Sequence, residues 1–295
     1  MKLLTVFLFF LAHIAFSFAA ERFIIFTGHG DALSLNNATV GCESGEHKSV
    51  RIAMDNLRCD LEKVTGVKPS VSADAPRILI GTLGCNSRID KLVKQGLLGD
   101  LKGKTEKYVI KTIGDQLVIA GSDKRGTIFG IYEMSRQIGV SPWYYWADVP
   151  VEKHADLYAV RGEYTDGEPA VRYRGLFLND EAPCLTSWVK NTFGTNYGDH
   201  RFYEKVYELI LRLKGNFLWP AMWGWAFYAD DPENSKLADD MGIIIGTSHH
   251  EPMGRNHQEW ARNRRKYGEW NYQTNQKVLD KFFTEGIERI KNTDD

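Results

Sequence analysis

The 295-residue sequence predicts an α/β protein, in which an N-terminal α/β domain is followed by the first three βα units of a (β/α)8 barrel. Three observations support this fold class. Short apolar runs alternate with helical periodicity along the chain, which is typical of parallel sheets. The last three predicted strands are each followed directly by polar or aromatic residues, as at the carboxyl rim of a barrel. No glycine-rich phosphate loop follows these strands, which disfavours a nucleotide-binding sheet.

Composition places the chain among ordinary globular proteins and excludes several functional classes. Hydrophobic residues make up 43% and charged residues 25%, which excludes a disordered or collagen-like chain. The formal net charge of −1 provides no excess of basic residues for nucleic acid or an anionic membrane to attract. We therefore expect no nucleic-acid partner and no membrane partner, and the oligomeric state stays open.

Residues 1–20 have the pattern of a secretory signal peptide. Lys2 supplies the positive start, an apolar run follows, and small residues up to Ala20 suit cleavage. The alternative is a membrane anchor, but His13 interrupts the apolar run, and a bilayer span needs about 20 apolar residues. We expect the mature chain to be secreted and extracellular. Its four cysteines allow three disulfide connectivities, and the sequence does not choose among them.

Residues 21–165 form the predicted N-terminal α/β domain. Apolar residues recur at helical spacing in two segments, and further runs predict a buried strand and a hairpin. These segments are residues 50–64 and 126–138 for the helices, 77–81 for the strand, and 108–112 with 116–120 for the hairpin. The polar, turn-rich stretch at 163–169 is the predicted domain boundary.

Residues 171–295 supply the three predicted βα units of the barrel. Strands are expected at residues 171–178, 216–220 and 242–247, and helical periodicity follows each of them. A complete barrel needs about 250 residues, whereas 125 of the 295 residues remain after Ala170. We therefore expect the barrel in this chain to be incomplete.

Chemically capable residues follow the first two of these strands. Asn179, Asp180 and Glu181 follow the first, and hydrolysis of a sugar linkage needs paired carboxylates. Asp180 and Glu181 are the catalytic candidates, although neighbouring side chains point apart and a solvated loop is the alternative. Trp223 lies in a tryptophan-rich run after the second strand. Its indole could pack on a pyranose ring, or it could belong to an aromatic core.

His249, His250 and Glu251 follow the third strand. A histidine at this place could bind a substrate carboxylate or hydroxyl, or carry a proton. A metal site is an alternative, but adjacent histidines point apart and the H-E-x-x-H spacing is absent from the sequence. A third interpretation has one histidine capping the strand while the other lies in solvent. We expect no metal and no other cofactor.

Five motifs, taken together, resemble the xylan α-glucuronidases of glycoside hydrolase family 115. They occur in the family's order and lie at residues 124–133, 139–150, 173–181, 211–223 and 246–253. The resemblance covers nearly the whole mature chain. It implies an N-terminal α/β domain, then a (β/α)8 catalytic barrel, then further domains.

The resemblance also implies an activity and a set of site residues. The activity is removal of glucuronic acid, or its 4-O-methyl form, from glucuronoxylan or a related polysaccharide, with inversion at the anomeric carbon. Asn179 and Asp180 would lie in the active site, and His249 would reach the bound uronic acid. Four further residues are carried over to the site: Glu181, His250, Glu251 and Trp223.

One departure from the family is the length of the chain. Proteins of the family are longer and have further catalytic carboxylates on later strands, so we expect this chain to be an incomplete or inactive portion of such an enzyme. Two other interpretations stay open. One is a non-catalytic secreted carbohydrate-binding protein that retains half of the site, and the other is a metal-dependent hydrolase that uses His249 and His250.

Overall fold

The computed structural model describes residues 22–293, so the predicted signal peptide lies outside the described residues. The strands in this range are β1 (Ile24–Ile25), β2 (Leu33–Ser34), β3 (Val40–Gly41), β4 (Ile78–Thr82), β5 (Tyr108–Ile113), β6 (Gln116–Gly121), β7 (Tyr158–Ala159), β8 (Glu163–Tyr164), β9 (Gly175–Phe177), β10 (Phe217–Trp219) and β11 (Ile244–Ile245). The α-helices are α1 (Lys48–Thr65), α2 (Ser87–Lys94), α3 (Lys124–Gln137), α4 (Cys184–Phe193), α5 (His200–Arg212), α6 (Phe227–Asp230), α7 (Glu233–Met241), α8 (His257–Arg262), α9 (Arg264–Tyr267) and α10 (Tyr272–Ile290). None of the helices within 22–293 combines the length and the apolarity needed to cross a membrane.

A mixed five-stranded sheet lies at the centre of the first half of the chain. Its strand order is β3-β4-β6-β5-β8, with β3, β4 and β6 parallel and the remaining pairs antiparallel. The predicted hairpin is confirmed, because β5 and β6 pair antiparallel across a turn in which Gly114 has a φ of 56°. Ile78 and Ile80 pack into the core with α1 and α3, whereas Leu79 packs on the opposite face with Ile89 of α2. This alternation follows from the two-residue period of a strand.

A second sheet, in the order β11-β10-β9, organises the rest of the described chain. All three strands are parallel, and helices separate them along the chain. The mixed α/β fold class is therefore confirmed. The first strand begins later than predicted, at Gly175, because the Arg174 guanidinium donates to the carbonyls of Val171 and Arg172. Those carbonyls would otherwise bond a neighbouring strand.

Buried charged groups join the two halves of the chain. Arg212 of α5 pairs with Asp60 of α1 at 2.8 Å, and both side chains are almost completely buried. Arg174, which precedes β9, pairs with the buried Glu106 at 2.7 Å. The main apolar core is continuous as well, since it runs from Phe23 to Ile243. The sheet that carries the candidate site is thus packed directly on the first half of the chain.

Candidate functional site

Asp180 lies just beyond β9, with its carboxylate among the backbone amides of the loop that follows β10. It accepts hydrogen bonds from the amides of Trp223 at 3.0 Å, Gly224 at 2.6 Å and Trp225 at 2.8 Å. The residue is only 4% exposed. Hydrogen bonds to an ionised carboxylate are stronger than those between neutral groups. Asp180 therefore ties the end of β9 to the loop that carries Trp223.

The carbonyl groups of the same loop are held from the opposite direction. The Asn256 side chain donates to the carbonyl of Met222 at 3.2 Å, and Gln258 donates to the carbonyl of Trp223. Asn256 is also the N-cap of α8 and forms a capping box with Glu259, which fixes the start of that helix. The loop at 222–225 is consequently bonded on both its amide and its carbonyl sides.

Trp223 and three imidazoles form an aromatic surface, which we call the Trp223 platform and define as Trp223, His249, His250 and His257. The indole is 55% exposed, and its centroid lies 5.3 Å from the ring of His250. His250 is in turn 4.0 Å from His249 and 4.9 Å from His257. Desolvation, followed by the charges of His249 and His257, lowers the pKa of His250. At neutral pH His250 is thus mostly a neutral ring beside the exposed His249.

Glu251 directly follows His250 of the platform and is fully buried. Its Oε1 accepts a hydrogen bond from Asn256 at 3.2 Å, and its Oε2 has no hydrogen-bond partner among residues 22–293. Burial raises the pKa of Glu251 to about 7; the Asn256 hydrogen bond opposes this shift, and the Glu259 and Asp180 carboxylates reinforce it. Any direct contact with a sugar would require the turn around Glu251 to open.

The structure brings five of the seven candidate residues together and leaves two in solvent. Asp180, Trp223, His249, His250 and Glu251 gather at the carboxyl ends of β9, β10 and β11. Asn179 and Glu181 are both exposed, on either side of the buried Asp180. The two adjacent carboxylates therefore lie in different environments, as the alternation of side chains along an extended segment requires.

His257 belongs to the platform, although the sequence analysis does not predict it, because that analysis selects residues that directly follow a strand. It lies at the start of α8, seven residues after His250. The signal that could have found it is the Asn256-to-Glu259 capping box, which predicts a helix start directly after the strand-end motif. Among the described residues, the group whose metal-ligating atoms converge is a different one, formed by Glu46, His47 and Cys85.

Comparison with known proteins finds many solved structures that match this chain, and one of them combines 30% sequence identity with wide coverage. That structure is of a family 115 4-O-methyl-α-glucuronidase with specificity for decorated arabinogalactans. Its sequence identity to this chain is 30%, with a TM-score of 0.78 over 92% of this chain and 35% of that chain. This chain therefore spans about a third of the relative's length. A chitobiase from Flavobacterium johnsoniae is more distant, with 14% identity and a TM-score of 0.49 over 78% of this chain and 34% of that chain.

The comparison with protein-family models also supports a relation to family 115. No curated protein matches the chain. The model of glycosyl hydrolase family 115 matches residues 166–295, which include all seven candidate site residues. The resemblance to glycoside hydrolase family 115 is thereby confirmed, for residues 166–295 by the family model and for 92% of the chain by a solved family 115 structure.

Proposed function

We propose that this chain provides part of the active site of a secreted glycoside hydrolase that removes glucuronic acid, or its 4-O-methyl form, from xylan. The family match and the glucuronidase activity of the solved relative support this proposal. That relative is specific for decorated arabinogalactans. A terminal uronic acid is what such a substrate would share with glucuronoxylan, so we base the proposal on recognition of the uronic acid.

The proposed architecture is an N-terminal domain at 21–165 and the start of a (β/α)8 barrel at 171–295. Its support is the order of the second sheet, in which β9, β10 and β11 are consecutive, parallel and separated by helices. Five of the candidate residues gather where these strands end. Active sites of (β/α)8 barrels lie at this end of the strands.

The observation that carries the proposal is the exposed Trp223 beside imidazoles, on a loop held by the Asp180 carboxylate. An indole packs well against the apolar face of a pyranose. An exposed imidazole such as His249, when protonated, pairs with a carboxylate through a charge-assisted hydrogen bond. An apolar ring face next to a carboxylate is the chemical description of a uronic acid.

Inverting hydrolysis places one carboxylic acid at the leaving oxygen and one carboxylate at the attacking water, about 6.5–9.5 Å apart. The adjacent residues Asp180 and Glu181 cannot straddle a sugar ring in this way. We therefore assign at most one of them to the catalytic pair, with its partner on another element. The Asp180 carboxylate, bonded to three amides, positions Trp223 whether or not it also contacts the sugar.

The test is to follow uronic acid release from glucuronoxylan by proton NMR, which resolves the anomer that forms first. The assay uses the 295-residue chain and any longer protein that contains it. Initial release of the β-anomer from the α-linkage supports the proposal, and initial release of the α-anomer contradicts inversion. If neither the 295-residue chain nor the longer protein binds the uronic acid or releases it, the proposed function is wrong.

A second candidate is a carbohydrate-binding protein that does not hydrolyse its ligand. Two observations favour it: the Asp180 carboxylate is occupied by backbone amides, and Glu181 lies apart from it in solvent. The same assay separates the two candidates. Binding of the uronic acid with no release from glucuronoxylan, in both proteins, would support the binding protein.

A further inference from the structure

A mixed cluster of a carboxylate, an imidazole and a thiol lies in the first half of the chain, apart from the Trp223 platform. It consists of Glu46, His47 and Cys85, whose candidate ligand atoms all lie within 4.8 Å of one another. Cys85 Sγ is 3.2 Å from His47 Nε2. These three side-chain types are the ones that bind Zn²⁺ in proteins. Because they come from two distant segments, no zinc-type spacing links them along the sequence.

Glu46 is fixed in place by the backbone around it. Its Oε1 accepts a hydrogen bond from the amide of His47 at 3.1 Å, and its Oε2 accepts one from the amide of Thr82 at 2.8 Å. The residue is 2% exposed. In metal sites, carboxylate ligands are commonly oriented by hydrogen bonds of this kind. Each Glu46 oxygen keeps a second lone pair with which it could bind an ion.

The two loops that carry the cluster are also bonded to each other. Glu43 precedes Glu46 by three residues, and its carboxylate accepts hydrogen bonds from the amide and the hydroxyl of Ser87, at 2.9 and 2.8 Å. The amide of Cys85 donates to the carbonyl of Thr82 at 3.0 Å, which closes the turn after β4. The positions of the three side chains are therefore set by the fold before any ion binds, as a preorganised site requires.

The charges around Cys85 favour a cation over a reactive thiolate. The Glu46 carboxylate lies in the cluster with Cys85, and the Asp90 carboxylate accepts a hydrogen bond from the amide of the preceding residue, Gly84, at 2.8 Å. Catalytic and redox cysteines instead lie in electropositive surroundings that lower the thiol pKa. A divalent ion between the carboxylate and the thiol would offset the negative charge that collects there.

We propose that Glu46, His47 and Cys85 bind a divalent transition metal ion of the zinc class, with a fourth position open to water. Thiolate and imidazole ligands select such ions over Ca²⁺ and Mg²⁺, which prefer sites made of oxygen atoms alone. The ion would connect the loop before α1 to the loop after β4. Its expected role is to stabilise the N-terminal α/β region, independently of the proposed glucuronidase function.

The direct experiment is titration of the metal-free, reduced 295-residue chain, without an affinity tag, with Zn²⁺ and with Co²⁺. We expect one equivalent of either ion to bind, a thiolate-to-cobalt charge-transfer band to appear in the near ultraviolet, and thermal stability to rise. A stoichiometry below one equivalent, or binding without the charge-transfer band, would overturn the proposal. So would a disulfide to Cys85 in the folded protein as purified without reductant.

Paired variants assign the ligands. Cys85→Ser and His47→Gln should each weaken Zn²⁺ binding by about a hundredfold or more, because loss of even an outer-shell partner costs about 10- to 100-fold. Cys59→Ser, at another half-buried cysteine, and His29→Gln, at an exposed histidine, should leave affinity unchanged. Circular dichroism checks that each variant is folded. If Cys85→Ser fails to fold, His47→Gln decides the question, and unchanged affinity in that folded variant would refute the site.

Discussion

At the residue scale, the Asp180 carboxylate satisfies three consecutive backbone amides of the Trp223 loop. Asp180→Asn replaces one acceptor oxygen with an NH2 group that faces amide donors. We expect the variant to lose about 1–3 kcal/mol of unfolding free energy, the typical cost of unsatisfied buried polar groups. Urea denaturation measures this loss. Glu181→Gln is the matched control at the neighbouring exposed carboxylate, and equal stabilities of the two variants would contradict the role of Asp180.

Glu251 makes stability depend on pH in a defined direction. Its pKa is about 7 in the folded chain, against an ordinary value of 4.5. Below pH 4.5 the carboxyl is protonated in both states, so its contribution to stability is fully present. As the pH rises from 4.5 towards 7, the Glu251 carboxyl ionises in the unfolded chain while it stays protonated in the folded chain. Its contribution to stability is therefore lost over this range. The shift corresponds to a loss of about 3 kcal/mol in unfolding free energy.

The variant Glu251→Gln tests whether the unfolding free energy falls, as expected, when the pH rises. The amide cannot ionise, so the stability of the wild type relative to the variant should fall by about 3 kcal/mol as the pH rises from 4.5 through 7. Urea denaturation at several pH values measures the difference and cancels groups that titrate in both proteins. A difference that stays constant, or that grows with pH, would show that the Glu251 carboxyl is not held in its protonated form.

At the scale of elements, Gly175 allows β9 to approach β10. A Cβ on Gly175 would lie 1.7 Å from the carbonyl oxygen of Phe217, its partner in the sheet. We expect Gly175→Ala to cost about 3 kcal/mol or more, because backbone rather than a flexible side chain must move. Gly45→Ala is the control, since its Cβ would meet only the Cys85 carbonyl at 3.8 Å. Thermal denaturation of both variants in metal-free buffer compares them, and similar midpoints would contradict the close approach.

Periodicity predicts most of the elements, and local exceptions explain the rest. The helices α1 and α3 and the hairpin of β5 and β6 agree with the predicted segments, because their apolar faces are buried in the core. Helix α4 is not predicted: it begins after Pro183 without a side-chain cap, and Val189 is its one buried residue. A helix without a cap and with so little buried surface leaves a weak sequence signal.

The candidate site is predictable in its location but not in its contacts. Active sites of (β/α)8 barrels lie at the carboxyl ends of the strands, which predicts a site at the ends of β9, β10 and β11. Five of the candidate residues gather there. The partners of Asp180 are backbone amides 43 to 45 residues away, which carry no side-chain signal in the sequence. For the same reason, neither the burial of Glu251 nor the proximity of His257 follows from spacing alone.

At the scale of the whole molecule, the second sheet depends on the first half of the chain. If residues 171–295 were expressed alone, Arg212 would lose Asp60, and the apolar side chains of α5 and α7 that share the core with α1 and α3 would be exposed to water. Strands β9 and β11 would also keep unpaired edges, which favour association. We therefore expect this segment to be poorly soluble or dimeric. A monomeric segment with a cooperative thermal transition, seen by calorimetry and light scattering, would contradict this expectation.

The central claim is that the Trp223 platform recognises a uronic acid. The most direct measurement is an NMR titration of the 295-residue chain with methyl 4-O-methyl-α-glucuronoside and with the neutral methyl α-glucoside. We expect the uronoside to bind about tenfold or more tightly, because a hydrogen bond to a charged group contributes about 1.5–3 kcal/mol. His249→Ala should remove this preference, and Trp223→Ala should weaken binding of both sugars. Trp143→Ala, at another exposed indole, should change neither the preference nor the affinity. Equal affinity of the wild type for the two sugars, or a preference that survives in His249→Ala, would contradict the account.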